Sequence, residues 1–278
     1  MSTLRPRRLS RQVRRRRRLV IAIATAAAVI VAGTVTVVAL TGRPEVPMPV
    51  PSNTPSRSST PPPVQTPTPT PTPTPTFNKS AQSIDDPSSY WVVVDKLRPL
   101  SPADYEAPDL VSVPVQFANE PVLRQAASDA VVAMFAAFAA ETGLQMQSQS
   151  AYRSYSTQVS VYQGWVDSLG QAGADATSAR PGYSEHQTGL ALDVSALPAN
   201  CTLDACFADT PQGQWLAANG WRFGFILRYP ADKTAVTGYE FEPWHMRFVG
   251  IELATEMHNK AITTLEEFFG LPAAPDYG

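Results

Sequence analysis

Between residues 120 and 142 apolar side chains recur at spacings of three and four, with Leu123, Ala127, Ala130, Met134 and Phe138 on one stripe. That period predicts a helix packed on one face, stopped by Gly143. The pattern then changes. Residues 144–152, L-Q-M-Q-S-Q-S-A-Y, alternate loosely and read as a strand that delivers Arg153 at its end. Ser154 or Ser156 is placed to cap a second helix to about Leu169, with Gly170 as terminator and a polar, glycine-containing loop beyond it. Residues 190–194 predict another strand. Leu190, Leu192 and Val194 share one of its faces, so Asp193 points to the other, away from the core.

Further along, Thr210 followed by Pro211 is a helix start and Gly220 a stop, and residues 221–227 read as a strand. Residues 239–249 predict a last strand. Pro243 cannot donate to a ladder, so pairing is expected from Trp244 onward, with His245, Arg247 and Val249 on one face and Met246 and Phe248 inward. A final amphipathic helix is expected over 250–269. Upstream, S-Y-W-V-V-V-D-K from Ser89 reads as a short strand or extended arm, followed by proline-rich irregular chain to about Asn119.

The first third of the chain has no such periods. Residues 19–40 are an uncharged apolar run long enough to cross a bilayer as one helix. Arginines crowd before it, which places the N-terminus in the cytoplasm and the remainder outside. The expected order is a basic cytoplasmic segment over 1–18, a signal-anchor helix over 19–41 and a disordered Pro/Thr/Ser-rich linker over 42–88. A folded domain over 89–278 completes it. A cleaved signal peptide is the rival for the apolar run, but its core is usually shorter and ends in a small-residue cleavage motif. The linker holds P-T-P-T-P-T-P-T-P-T, which favours extended polyproline II and cannot build a core.

Charge sharpens this division. The formal net charge is -2, but nine of the 22 basic residues lie in the first eighteen positions and all 24 acidic residues lie beyond position 42. The rest of the chain carries 13 basic and 24 acidic groups, a net of -11, which argues against nucleic acid as a partner. The two cysteines, Cys201 and Cys206, are half of a metal site, two free thiols or a short-loop disulfide. No second pair completes a zinc knuckle, and an exported domain favours the disulfide.

Two of the three histidines stand near acidic residues: His186 seven positions before Asp193, and His245 three after Glu242. Two imidazoles and a carboxylate leave one position of a catalytic zinc ion open for water, and a fourth, unligated carboxylate can take that water's proton. His186, Asp193 and His245 are therefore expected to bind zinc, with Glu242 as general base. In an ideal strand residues three apart face opposite sides. Glu242 and His245 share a site only if Pro243 marks a break or bulge. His258 lacks a partner motif, and no G-x-S-x-G elbow supports a serine hydrolase around Ser184.

Four segments, S-A-Y-R-S from 150, S-E-H-Q-T-G-L-A-L-D from 184, G-F-I-L-R-Y-P from 224 and E-P-W-H-M-R-F-V-G from 242, resemble the VanY-type D-alanyl-D-alanine carboxypeptidases. These are zinc peptidases sharing a fold with lysostaphin-type enzymes and hedgehog domains. The resemblance covers roughly residues 89–269. It implies a single α+β domain with a central antiparallel sheet flanked by helices, the same zinc ligands and base, and a peptidoglycan stem peptide as substrate. It adds Arg153 as the cation that stabilises the developing oxyanion, with Ser184 and Gln158 as substrate contacts. The expected activity is removal of the terminal D-alanine. The alternatives are an L,D-carboxypeptidase or endopeptidase with the same machinery, or a non-catalytic wall-binding module that retains zinc.

Overall fold

The computed structural model describes residues 77–278. The predicted cytoplasmic segment, the membrane span and linker residues 42–76 lie outside the described residues. Among the described residues no helix is long and apolar enough to cross a membrane.

Packed chain begins earlier than residue 89. Phe77 stacks on Trp91 at 5.4 Å and meets Phe268 edge-on at 5.7 Å, while the Val93 N–H donates to Ile84 O at 2.9 Å. Residues 78–88 look like linker by composition, but their polar side chains fold the backbone locally: Asn78 Oδ1, Ser83 Oγ and Asp86 Oδ1 all accept N–H groups two or three residues on. The following Tyr-Trp-Val-Val-Val run is an arm rather than a ladder strand. Its side chains alternate between two cores, Val92 and Val94 entering one, Trp91 and Val93 the other.

β1 (Leu110–Ser112) pairs antiparallel with β2 (Val122–Arg124), which occupies residues expected to start the first helix. That helix, α1 (Gln125–Thr142), ends as predicted at Gly143 with φ 72°. Its buried stripe includes Ala127, Val131, Met134 and Phe138. β3 (Gln145–Ser150) leads to α2 (Tyr155–Thr177), capped by Ser154 Oγ, which accepts the Thr157 N–H at 3.2 Å. Gly170, at φ 74°, breaks α2 where a stop was predicted, but the chain re-enters helix instead of forming a loop. The Tyr162 hydroxyl bonds Asp175 across the break at 2.6 Å and holds the second segment against the first.

β4 (Ala191–Leu197) precedes α3 (Pro211–Asn219), whose Thr210 cap and Gly220 end match the sequence pattern. The strand predicted over 221–227 shrinks to β5 (Phe225–Leu227), because residues 220–223 form a 3₁₀ turn stopped by Gly224 at φ 82°. A Cβ on Gly224 would lie 2.9 Å from the backbone of Gly250 and Ile251, so only glycine lets the two segments approach. After the short α4 (Thr234–Thr237) comes β6 (His245–Phe248). The predicted final helix is two: α5 (Ile251–Asn259) and α6 (Leu265–Phe269). Ala261 turns at φ 52° and Thr264 caps the second.

The central sheet runs β3-β4-β6-β5, every neighbour antiparallel. Met146, Leu192, Val194, Met246 and Phe248 bury against Met134 and Phe138 of α1 and Trp215 of α3. A second cluster, with Trp91, Val249, Leu253 and Phe268, holds the two ends of the described region together. The site lies where β4 and β6 run side by side.

Candidate metal centre

Asp193 and His245 are direct cross-strand partners in the β4–β6 register. Leu192, Val194 and Ala196 on the alternate positions of β4 are driven into the core, which leaves Asp193 on the opposite face beside His245. His186 arrives from the 3₁₀ turn Glu185–Thr188, closed by Gly189 at φ 69°. The Glu242–His245 segment is a turn, with the His245 N–H donating to Glu242 O at 3.1 Å. This is the break that Pro243 was expected to mark. It brings Glu242 Oε2 to 3.7 Å from His245 Nδ1.

One ligand atom each from His186, Asp193 and His245 lie within 4.8 Å of one another, and all three residues are buried. The tautomers follow from the partners. His186 Nδ1 sits 2.6 Å from Ala151 O, which can only accept, so Nδ1 carries the proton and Nε2 is a bare lone pair 3.4 Å from Asp193 Oδ2. For His245 the order reverses: Nε2 donates to Glu185 Oε2 at 3.3 Å, and Nδ1 faces Asp193 Oδ1 at 3.2 Å. That last approach is off the hydrogen-bond direction, so Asp193 Oδ1 is buried without a donor. Two bare imidazole nitrogens and a donorless carboxylate oxygen converging on one point fit a tetrahedral divalent metal such as zinc.

Electrostatics match that use. Burial alone would raise the Asp193 carboxyl, but His186 and His245 hold it well below the usual carboxylate range. Burial lowers His186, and the Arg153 cation adds to the effect, which favours the neutral ligand form. Burial opposes charge on His245 too, yet Asp193 and Glu185 outweigh it and raise the imidazole to about 9. Burial lifts Glu242 to about 8, with the Asp193 charge pushing the same way against His245 and Arg153. A cation held by the three ligands favours the ionised form of Glu242 and the neutral form of His245.

Behind the ligands lies a buried charge network, in which Arg228, a residue the sequence leaves open between pairing with a carboxylate near the cleft and binding a peptide terminus, takes the first role. Glu185 Oε1 accepts from Arg228 Nε and from Arg247 Nη1, each at 2.8 Å, and Arg228 also grips Glu266 at 3.0 and 2.6 Å. The side chains of Glu185, Arg228 and Arg247 are 0% exposed. Its only trace in the sequence is charge among apolar neighbours, as in M-R-F-V around Arg247.

Arg153 stands on the other side of the pocket. Its Nη1 donates to Gln158 Oε1 at 3.1 Å, and its Nε is buried without an acceptor. Both amide protons of Gln158 are engaged, since Nε2 donates to Ala179 O at 2.7 Å and Ser178 Oγ at 3.2 Å. Gln158 therefore orients Arg153, and it also lines the cavity into which a substrate would enter. Ser184, Tyr229, Tyr239 and Trp244 line the same cavity of about 610 Å³. Tyr183 instead packs edge-on against Tyr277 at 5.1 Å, and His258 stacks on Trp221 at 4.1 Å rather than joining the ligands. Cys201 and Cys206 form the expected disulfide, S–S 2.05 Å, and the loop they close reaches the cavity through Leu203, Asp204 and Ala205.

Residues 120–251 match the family model for VanY, D-alanyl-D-alanine carboxypeptidase. Protein YodJ of Bacillus subtilis (strain 168) is 38% identical over 193 residues, 68% of this chain and 70% of YodJ. The structure of the LdcB LD-carboxypeptidase is similar at TM-score 0.61 and 38% identity, covering 66% of this chain and 87% of LdcB. A vancomycin resistance D,D-pentapeptidase VanY variant, solved in complex with Zn(II), is similar at TM-score 0.53 and 32% identity, over 64% of this chain and 97% of that one.

Proposed function

The chain belongs to the VanY D-alanyl-D-alanine carboxypeptidase family, and from that premise we propose that it is a zinc-dependent carboxypeptidase removing the terminal D-alanine of peptidoglycan stem peptides. The observation that carries the reading is the convergence of His186 Nε2, Asp193 and His245 Nδ1 beside an unligated Glu242. A purely structural metal site has no use for that carboxylate. The zinc-bound relative supports the choice of metal.

Zinc, when bound, supplies a Lewis acid for the scissile carbonyl and lowers the pKa of the attacking water. Glu242 takes the proton of that water and returns it to the leaving amine. Arg153, steadied by Gln158, directs its free N–H groups at the oxygen that becomes negative in the tetrahedral intermediate. Ser184, beside His186 on the cavity wall, hydrogen-bonds the terminal carboxylate of the substrate. The arginine-flanked apolar run over 19–41 anchors the enzyme in the cell membrane, with the domain outside and the Pro/Thr-rich segment as spacer to the wall. The sequence pattern is the support for that placement.

Incubating the purified full chain with a stem pentapeptide tests the activity, with release of one D-alanine that chelator abolishes as the expected result. The likeness to LdcB favours a second reading, cleavage of an L,D bond, and preferential release from a tetrapeptide would establish it instead. A dipeptide product points to an endopeptidase, and bound zinc without hydrolysis to a wall-binding module. Glu242→Gln is expected to lower kcat by roughly 100-fold or more with zinc still bound. Loss of zinc from that variant, measured by metal analysis, would make Glu242 a ligand rather than the base.

A further inference from the structure

The β4–β6 ladder fixes Asp193 and His245, and each histidine has its own brace, but two other residues of the cavity wall lie on chain outside the sheet. Ser184 follows the turn Arg180–Tyr183, in which the Tyr183 N–H donates to Arg180 O at 2.9 Å, and Tyr239 follows α4. Strand pairing does not set the distance between these two segments. The chain beyond α6 does.

Residues 274–277 form a strap that touches both. Ala274 is buried, and its N–H donates to Val236 O at 2.7 Å. The buried Lys96 Nζ donates to Gly238 O and, at 3.1 Å, to Pro275 O, with its charge 4.8 Å from the centre of the Tyr239 ring. A Cβ on Gly238, at φ 78°, would lie 2.5 Å from Ala274 O, so only glycine lets the strap come this close. Tyr277 is where the two segments meet. Its hydroxyl accepts the Arg180 N–H at 2.8 Å and lies 3.2 Å from the Tyr239 hydroxyl, while the Arg180 guanidinium sits 4.1 Å from the centre of its ring. From Tyr239 the contact continues inward, because its ring packs 4.7 Å from Tyr229, whose ring is 4.9 Å from that of His245.

Packing against Arg180 and Tyr183 needs only the ring of Tyr277; the hydroxyl serves the two segments. Moving either segment away breaks a hydrogen bond in a part-buried place, which costs more than the same loss in water. We propose that Tyr277 is a positioning residue for the substrate: its hydroxyl holds the turn that leads into Ser184 and the wall residue Tyr239 at one separation, so that the cavity is preformed for a peptide. This rests on the carboxypeptidase reading for the identity of the ligand. A preformed wall spares the peptide the cost of ordering it on binding. Tyr277 acts through its neighbours, and the metal ligands, braced separately, do not depend on it.

Calorimetric binding of a stem pentapeptide to the zinc-loaded full chain, in a Glu242→Gln background that prevents turnover, tests the proposal. Tyr277→Phe keeps the ring and removes the hydroxyl, and is expected to weaken the peptide by about 5–10-fold, the scale of one lost neutral hydrogen bond. Tyr239→Phe breaks the same hydroxyl pair from the other side, so the double variant should bind no more weakly than Tyr277→Phe alone. Zinc affinity, read by chelator competition, should be unchanged in Tyr277→Phe, because the outer partners of both histidines remain. Additive losses in the double variant, loss of zinc from Tyr277→Phe, or unchanged peptide affinity whatever happens to the urea midpoint would each overturn the proposal. So would a pentapeptide that does not bind the parent. If the pentapeptide binds but the chain with Glu242 intact releases no D-alanine from it, the cleavage reading fails and the role of Tyr277 is decided by the affinities alone.

Discussion

At the scale of single residues, the site depends on which nitrogen of each histidine is bare. His186 and His245 use opposite ring nitrogens, and each choice is imposed from behind: the Ala151 carbonyl on one, the Glu185 carboxylate on the other. Glu185→Gln keeps the size of the side chain and removes the charge that holds the His245 proton on Nε2. It is expected to weaken zinc binding by about 10–100-fold, the range for removing such an outer partner, read by competition with a calibrated chelator. Residue types that bind metal were plain in the sequence because His and Asp at those spacings have few other joint uses. Glu185 was not, because its role depends on two arginines that are far away in the chain and adjacent only after folding. The bond by which Gln158 braces Arg153 likewise shows only once the side chains are placed.

At the scale of elements, turns and caps were the most legible features. Thr210-Pro211, Ser154 and Gly143 all act where the sequence placed them, since capping is decided within three or four residues. Element length was less legible. The helix expected from residue 120 yields its start to β2, because β1 is available to pair with it, and α2 continues past Gly170. The turn that carries His186 depends on Gly189, where a Cβ would come within 2.7 Å of Leu110 Cδ2 at a φ of +69°. Gly189→Ala is therefore expected to destabilise the protein by about 1–3 kcal/mol, seen as a lower urea midpoint at unchanged slope.

The end of α2 supplies a pH dependence. Burial works to raise the Asp175 carboxyl, but Arg180, Tyr162 and Gln171 bond it and together bring it down to about 2. A carboxyl depressed in the folded state adds stability above its unfolded value, roughly 3.9, and that contribution is lost as pH falls from there through about 2. The Arg180 side chain is 40% exposed, so solvent screening limits the effect to on the order of 1 kcal/mol. Thermal melts of the parent and Asp175→Asn should converge as pH drops over that window.

At the scale of the whole molecule, the buried charges join regions that the sequence keeps apart. Arg228, beyond β5, links Glu185 beside the metal centre to Glu266 in α6. Arg228→Met would leave the buried Glu266 carboxylate without its cation and Glu185 with Arg247 as its one remaining arginine. We expect a loss of about 3–5 kcal/mol in urea unfolding, the usual cost of breaking a buried pair from one side. The same folding brings Phe77 onto Phe268, which is why the packed region starts earlier than composition suggested.

The sequence by itself determined the kinds of chemistry present, the alternation that turns Asp193 away from the core and the need for a backbone break at Pro243. These are local consequences of side-chain type, strand period and proline geometry, which act over a few residues. Only the tertiary structure decided that Asp193 stands directly opposite His245, which nitrogen each histidine offers, and that Glu185, Arg228, Arg247 and Glu266 form one buried unit. Those outcomes depend on strand register and on pairs of charges that meet through space, and neither leaves a period or spacing along the chain.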